Sequence, residues 1–472
     1  MKSLILIVAM GAVGAAQGLP PAQATRPGPV APLTNPANAA TLQGGVAPAP
    51  ATGTNITLTL NDAIERGLRN NLAALLSASS TEQARAQRMT ALAALLPRVD
   101  ASAGEVRQKI NLAAFGFSFP GLSPIVGPFD VFQASAAANV PVLDLSALQS
   151  ARAARGFEAA AHDDLQSTRE MVVLAVANQY LLSVADQSRV TAAQAELTAA
   201  ETALQQAQDM LKAGTVGALA AVRAQVQRDR QRQLLTAQQN ALAKQRLQLA
   251  RAIGLSPEQE FTLASPLPYA PLTPPELSSA VSQALAARAD YRSAQAQARA
   301  AQFLVAAARD QQLPTLALNG NYGNIGHEID SNRPIYSVGI TAQLPVFAGG
   351  LYKADRIRAE AHLRDANNRV ADLRAQIDLQ VRSALLDLDS NRSQVQVAQD
   401  AKSLADQELT LAQDRFRAGV ADNLEVVQAQ QSVADADESY IASVYAYNLA
   451  KAMLAQALGV AVSGYQQYLP MQ

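Results

Sequence analysis

The chain is 472 residues long and carries 38 Lys and Arg against 39 Asp and Glu, so net charge points to neither a nucleic-acid polyanion nor an acidic substrate. Cysteine is absent, which excludes disulfides, thiolate metal sites, a cysteine nucleophile and an acylated amino-terminal cysteine. The three histidines, His162, His327 and His362, lie far apart without ligand spacing, so neither a metal nor another cofactor is expected.

Taken in chain order, residues 1–24 read as a secretory signal: Lys2 is the positive end, Leu4 to Ala16 the apolar core, and Ala22-Gln23-Ala24 a small-residue cleavage site. A retained anchor is the competing reading, but an apolar run of about 13 residues falls short of the roughly 20 a spanning helix needs. Eight prolines between Pro20 and Pro50 mark residues 25–55 as a disordered leader rich in Pro and Ala. No later segment approaches 18 uninterrupted apolar residues, so any further meeting with a bilayer requires strands.

Two words then organise the rest. DMLKAGTVGALAAVRAQ begins at Asp209 and DRFRAGVADNLEVVQAQ at Asp414, 205 residues later, and the same offset pairs Gly254 with Gly459. The fold is therefore expected to be two copies of one unit: residues 56–254, an inter-repeat linker at 255–275 marked by six prolines from Pro257 to Pro275, residues 276–459, and a tail at 460–472.

Ahead of the long helical stretch in each copy sit two strand candidates, residues 97–110 and 129–143 in the first, 314–328 and 333–347 in the second. In the last, Tyr336, Val338, Ile340, Ala342 and Leu344 alternate with Ile335, Ser337, Gly339, Thr341 and Gln343. In residues 129–143, Phe132, Ala134, Ala136, Ala138 and Val140 alternate with Gln133, Ser135 and Asn139. Such strands fit a small soluble hairpin with one buried face, or a membrane strand with lipid on one side and a lumen on the other. Phe115, Phe117, Phe119, Phe129 and Phe132 around the first hairpin, with Tyr322 and Tyr336 in the second pair, favour the membrane reading as interfacial aromatics. Four strands cannot close a barrel, since the smallest need about eight, so that reading requires several copies of the chain.

No proline falls between Pro141 and Pro257 or between Pro345 and Pro470, and both intervals are built from Ala, Gln, Leu, Arg and Glu. Leu363, Val370, Leu373, Ile377, Val381, Leu385 and Leu388 trace a narrow coiled-coil stripe in the second interval. Each interval is expected to be a helical hairpin whose ascending helix, 145–213 or 350–418, is about 100 Å long. Gly214 with Gly217, and Gly419, are expected to turn the chain through permissive backbone angles.

These words in this order resemble the TolC-like outer-membrane efflux proteins of Gram-negative bacteria. The resemblance is carried by LTLNDAIERGLRNN from Leu58, AALLPRVDAS, VPVLDLSA and AGTVGALAAVRAQ, and in the second copy by AQFLVAAARDQQLPTLALNGNYG, LPVFAGGLYKA and RFRAGVADNLEVVQAQQS. It covers about Leu58 to Gly459. It implies a mainly α fold with a small β part: a homotrimer whose long hairpins form an α-barrel through the periplasm and whose four strands per chain make a 12-stranded barrel in outer-membrane lipid. It further implies an exit duct without catalytic chemistry, serving efflux or type I secretion with a periplasmic adaptor and an inner-membrane transporter.

By the same resemblance the pore constriction falls at Asp422, Glu425 and Gln428, where Gln428 departs from the family's acidic pattern, as does Ala220 in the first copy. The competing reading of Asp422 and Glu425 is that they favour a helix start through its dipole. The tip turns, Gly214, Gly217 and Gly419 with Leu219 and Leu424, resemble adaptor-docking contacts. A soluble periplasmic coiled-coil scaffold or adaptor is the alternative. No nucleophile, metal cluster or phosphate loop suggests an enzyme.

Overall fold

The structure, a computed structural model, describes residues 39–47, 53–116, 123–264, 269–418, 420 and 423–469. The signal and most of the expected leader, with Phe117, Phe119, Gly419 and Asp422, lie outside the described residues. The elements are α1 (Ala39–Leu42), β1 (Ile56–Leu58), α2 (Leu60–Asn70), α3 (Leu72–Ala93), β2 (Arg98–Asn111), β3 (Ile125–Leu143), α4 (Leu145–Lys212), α5 (Ala218–Ala252), β4 (Phe261–Leu263), α6 (Leu277–Ala287), α7 (Ala289–Asp310), β5 (Thr315–Gly326), β6 (Arg333–Gln343), α8 (Leu351–Arg417), α9 (Asn423–Ala457) and α10 (Ala461–Tyr468).

The duplication is visible in the lengths. Helices α2 and α6 have 11 residues each, α3 and α7 22 each, α4 and α8 68 and 67, and α5 and α9 35 each. Local chemistry sets the boundaries. Thr59 caps α2, accepting from the Asp62 N–H at 3.1 Å while Asp62 Oδ2 accepts from the Thr59 N–H at 3.2 Å, a reciprocal capping box. Glu276 does the same work for α6, its carboxylate accepting from the N–H groups of Ser278 and Ser279. At the other end, Gly254 and Gly459 follow α5 and α9 at φ +69° and +72°, the left-handed conformation that terminates helices.

Two compact units result, one comprising residues 87–151 and 310–346, the other residues 32–86, 152–309 and 347–472. The first holds an antiparallel sheet in the order β2-β3-β5-β6. The second holds the hairpins and a parallel pair, β1 with β4, in which Ile56 faces Phe261 and Leu58 faces Leu263. That pair adds to the four strands expected from sequence and places β4 inside the stretch expected to be only a linker. Three residues are too few to show a period of two.

The second unit has two related cores. Leu60 and Ile64 of α2 meet Val172, Val176 and Leu181 of α4, Leu249 of α5 and Leu263 of β4. In the other, Ala280 and Ala284 of α6 meet Ile377, Val381 and Leu388 of α8 and Leu454 of α9. Burying one such leucine or isoleucine stabilises by about 1.5–3 kcal/mol, so these clusters rather than helix propensity hold the hairpin bases. Along α8 the buried positions Ile377, Val381, Ala384, Leu388, Val395, Ala398, Ala405, Ala412 and Phe416 continue the coiled-coil stripe toward the turn. Alanine at so many of them permits close approach of α9. Of the sequence-derived stripe, Ile377, Val381 and Leu388 are fully buried, whereas Leu363, Val370, Leu373 and Leu385 are half-buried.

Candidate functional site

The four-stranded sheet and the hairpin turns carry exposed side chains that the cores do not use. In the sheet, Ala136 pairs with Ala101 on one side and Tyr322 on the other, and Tyr322 pairs with Tyr336. Directly opposed residues share a face, so Val99, Ala101 and Ala103, then Phe132 to Val140 at every second position, then Leu318 and Tyr322, then Tyr336, Val338 and Ile340 form one apolar surface. It is left uncovered by the described residues, with Tyr336 at 81% exposure, Val338 at 74% and Ile340 at 71%. The band ends where Glu105 faces Phe132 and Arg107 meets Asp130 at 3.8 Å.

The other face is a polar ladder. Asn139 Nδ2 donates to Asn319 Oδ1 at 2.6 Å, and Asn319 Nδ2 donates to Thr341 Oγ1 at 3.0 Å, joining β3, β5 and β6. Ser102 and Ser135 approach at 3.5 Å, and Arg98 pairs with Asp100 at 2.8 Å on the same side. Among the aromatics singled out from sequence, Tyr322 and Tyr336 stand opposite one another on the apolar face. Phe129 and Phe132 are three positions apart on β3 and so lie on opposite faces, which a single interfacial girdle would not predict. Phe115 ends a short 3₁₀ turn, Leu112–Phe115, beside the hairpin loop. Strands β2 and β6 are the sheet's two edges, 14 and 11 residues long, and neither is paired along its outer side by described residues.

The hairpin turns differ from one another. After α4, Gly214 sits at φ +75° in open space, as a left-handed turn requires. Gly217 does not use the permissive region expected of it: it is the N-cap of α5 at φ −80°, ψ 159°, extended backbone open to any residue. Leu219 is exposed just beyond. In the second turn Leu424 and Gln428 are exposed, and Glu425 lies in the first turn of α9. Its Oε1 is 3.0 Å from Arg415 Nε of α8. Sequence inspection of Glu425 missed this partner, because the ion pair spans the turn.

Above the turns, α4 and α9 are joined by polar links. Arg189 of α4 donates to Glu438 of α9 at 2.8 Å and to Asp186 at 2.8 Å, and Tyr445 of α9 donates to Asn178 of α4 at 2.7 Å. Glu196 of α4 presents a sequestered Oε2 without a hydrogen-bond partner toward Asp437 and Asp435 of α9 and Lys402 of α8. Burial, then the two aspartates, push its carboxyl up to about 7, while Lys402, itself paired with Asp437, pulls it down.

His162, His327 and His362 are exposed and apart, and among the described residues no His, Cys, Asp and Glu cluster fits a metal ion. No described helix is long and apolar enough to cross a membrane.

Comparison with known proteins identifies the family. Solved structures similar in fold include the outer membrane protein VceC of Vibrio cholerae, with a TM-score of 0.73 at 20% identity, covering 85% of this chain and 96% of that one. The Campylobacter jejuni CmeC outer membrane channel also gives 0.73, at 19% identity, with 89% and 92% covered. Among curated proteins, the pyoverdine export outer membrane protein OpmQ of Pseudomonas aeruginosa is 28% identical over 410 residues, 85% of each chain. The toluene efflux pump outer membrane protein TtgF of Pseudomonas putida is 25% identical over 413 residues, 85% of this chain and 83% of the relative. The family model described as outer membrane efflux protein matches residues 63–255 and 280–460, one stretch for each copy of the internal repeat. With both repeats matched, the chain belongs to the outer membrane efflux protein family, the TolC-like channels of the outer membrane.

Proposed function

We propose that three copies of this chain assemble into one exit duct. Their twelve strands close a barrel in the outer membrane, and their hairpins form a tunnel through the periplasm. The observation that carries this reading is the sheet: an exposed apolar face backed by an amide and hydroxyl ladder, with two long open edges. Apolar outside and polar inside is the pattern of a membrane barrel wall, and edges of 14 and 11 residues demand strands from other copies. Relatives named for pyoverdine export and toluene efflux support efflux as the task.

The duct performs no bond chemistry. It is driven by an inner-membrane transporter reached through a periplasmic adaptor, which docks at the tip turns around Gly214, Gly217 and Leu219, and around Gly419 and Leu424. The constriction is formed by Asp422, Glu425 and Gln428. Tyr322 and Tyr336 set the sheet against the lipid interface together with Phe115, Phe117, Phe119, Phe129 and Phe132, of which Phe129 and Phe132 take opposite faces.

The test is extraction of the expressed protein from outer membranes in detergent, followed by native mass measurement. A detergent-dependent species of three chains is expected. A water-soluble monomer, as a periplasmic scaffold would give, sinks the reading.

A further inference from the structure

The face of the sheet that carries the amide and hydroxyl ladder is almost free of charge. Strand alternation, followed outward from Asn139, Asn319 and Thr341 and up to the register shift after Gln108, puts three charged side chains on it among the described residues: Arg98, Asp100 and Arg333. Arg98 and Asp100 cancel one another at 2.8 Å. Arg333 is exposed and forms no ion pair with a described carboxylate, Glu328 and Asp330 of the preceding turn included. The net charge of this face is therefore one unpaired guanidinium.

Its place on the sheet is fixed by register. Arg333 opens β6, pairs with Ile325 of β5, and Ile325 pairs with Gln133 of β3. Arg98 belongs to a different row, with Asn139, Asn319 and Gly339, roughly 20 Å away along the strands at about 3.3 Å per residue. Arg333 thus stands at the end of the sheet that holds the β2–β3 and β5–β6 connections, just past Tyr336 at the limit of the apolar band on the other face. Apolar surface flanks it on its own face. Ile325 lies directly opposite, and Ile335, 40% exposed, is the next residue of β6 on that side.

We propose that Arg333 is an anion-binding residue of the barrel's inner wall at its outer mouth, and that it favours organic anions as cargo. A carboxylate, sulfonate or phosphate takes the guanidinium fork while an apolar body lies against Ile325 and Ile335. This rests on the reading above, in which the ladder face lines a lumen and three copies each supply the residue. Twelve strands about 4.8 Å apart and tilted by about 40° enclose a wall roughly 25 Å across. Three side chains reaching inward then stand roughly 10–20 Å apart, comparable with the Debye length of about 10 Å at 0.1 M salt. Their fields overlap, so the mouth draws anions and repels cations.

The test uses the full-length protein, purified in detergent and inserted into planar bilayers. In a potassium chloride gradient near 0.1 M, Arg333→Gln is expected to move the reversal potential toward cation preference, and Arg333→Lys to keep the wild-type value. The difference should vanish near 1 M salt, where the Debye length is about 3 Å. Equal conductance of all three proteins there checks that assembly is intact. 1-Hexanesulfonate is expected to block the wild-type current, and Arg333→Gln to raise the half-blocking concentration about tenfold, as loss of a hydrogen bond to a charged group does. Ile335→Ser should weaken the same block without moving the reversal potential. A reversal potential or a hexanesulfonate block left unchanged by Arg333→Gln overturns the inference and leaves the duct standing. A wild-type protein that forms no channel overturns both.

Discussion

Arg415 and Glu425 face one another across the second hairpin turn with Nε and Oε1 3.0 Å apart, so the carboxylate placed at the proposed constriction is neutralised by its own chain. Both groups are about half exposed, which limits the pair to about 0.2–1 kcal/mol of stability and leaves its main effect on the local field. Arg415→Ala should therefore raise cation preference in bilayer conductance, with melting temperature nearly unchanged. Glu425→Ala combined with Asp422→Ala should lower it. Identical reversal potentials for wild type and both variants would remove the gate assignment.

The two faces of the sheet should respond oppositely to charge. Ile340 lies on the apolar face and Thr341 on the ladder face, one residue apart on β6. On the membrane reading, Ile340→Arg costs about 2–4 kcal/mol in folding into lipid, as an arginine on the lipid side of a barrel does near the bilayer midplane. Thr341→Arg loses only its hydrogen bond with Asn319, about 1 kcal/mol. Folding yield into lipid vesicles measures both, and equal losses would argue for a soluble sheet.

Glu196 gives the hairpin unit a pH dependence of definite sign. Its carboxyl is raised from 4.5 to about 7 by burial and by the facing aspartates, so the folded state holds its proton over a range where the unfolded chain releases it. This contribution to stability is complete below about pH 4.5 and is lost as pH rises through 7. Glu196→Gln, which keeps the shape and cannot ionise, should nearly match wild type at pH 4 and exceed it at pH 8 by about 1 kcal/mol, allowing for solvent screening of a half-buried group. Parallel thermal melts at the two pH values decide it; a constant difference between the proteins would mean the carboxyl does not titrate there.

Glycines at φ > 0 should differ in their tolerance of alanine according to surroundings. Gly214 is at φ +75° and a methyl group there would meet no atom within 4 Å, so Gly214→Ala costs only the left-handed strain of about 1–2 kcal/mol. At Gly254, φ +69°, a Cβ would collide with the Cβ of Asn70 and lie 2.7 Å from the Val46 carbonyl oxygen. Gly254→Ala should thus destabilise clearly more than Gly214→Ala in chemical denaturation, by separating α5 from the end of α2.

Much of this was open to inspection of the residues alone. Period-two alternation in Tyr336–Leu344 and Phe132–Val140 located β6 and β3, because strand side chains alternate whatever they face. Absence of proline from 142 to 256 and from 346 to 469 located the hairpins, because a proline inside a helix removes a hydrogen bond and adds a clash. The repeated words located the turns between α4 and α5 and between α8 and α9.

Contacts between residues distant in sequence are a different matter. Nothing in the spacing of Asn139, Asn319 and Thr341 announces a ladder; the β3-β5 pairing, which joins the two repeats, creates it. Glu425 reads as an isolated acid until the turn brings Arg415 beside it, and Glu196 reads as a solvated carboxylate until α8 and α9 close on α4. The two copies, their helices and their strands are written in the order of residues, because they follow from local geometry repeated along the chain. Which charges are satisfied within one chain, and which are left facing outward, depends on how the hairpins pack, and that is settled only when the chain has folded.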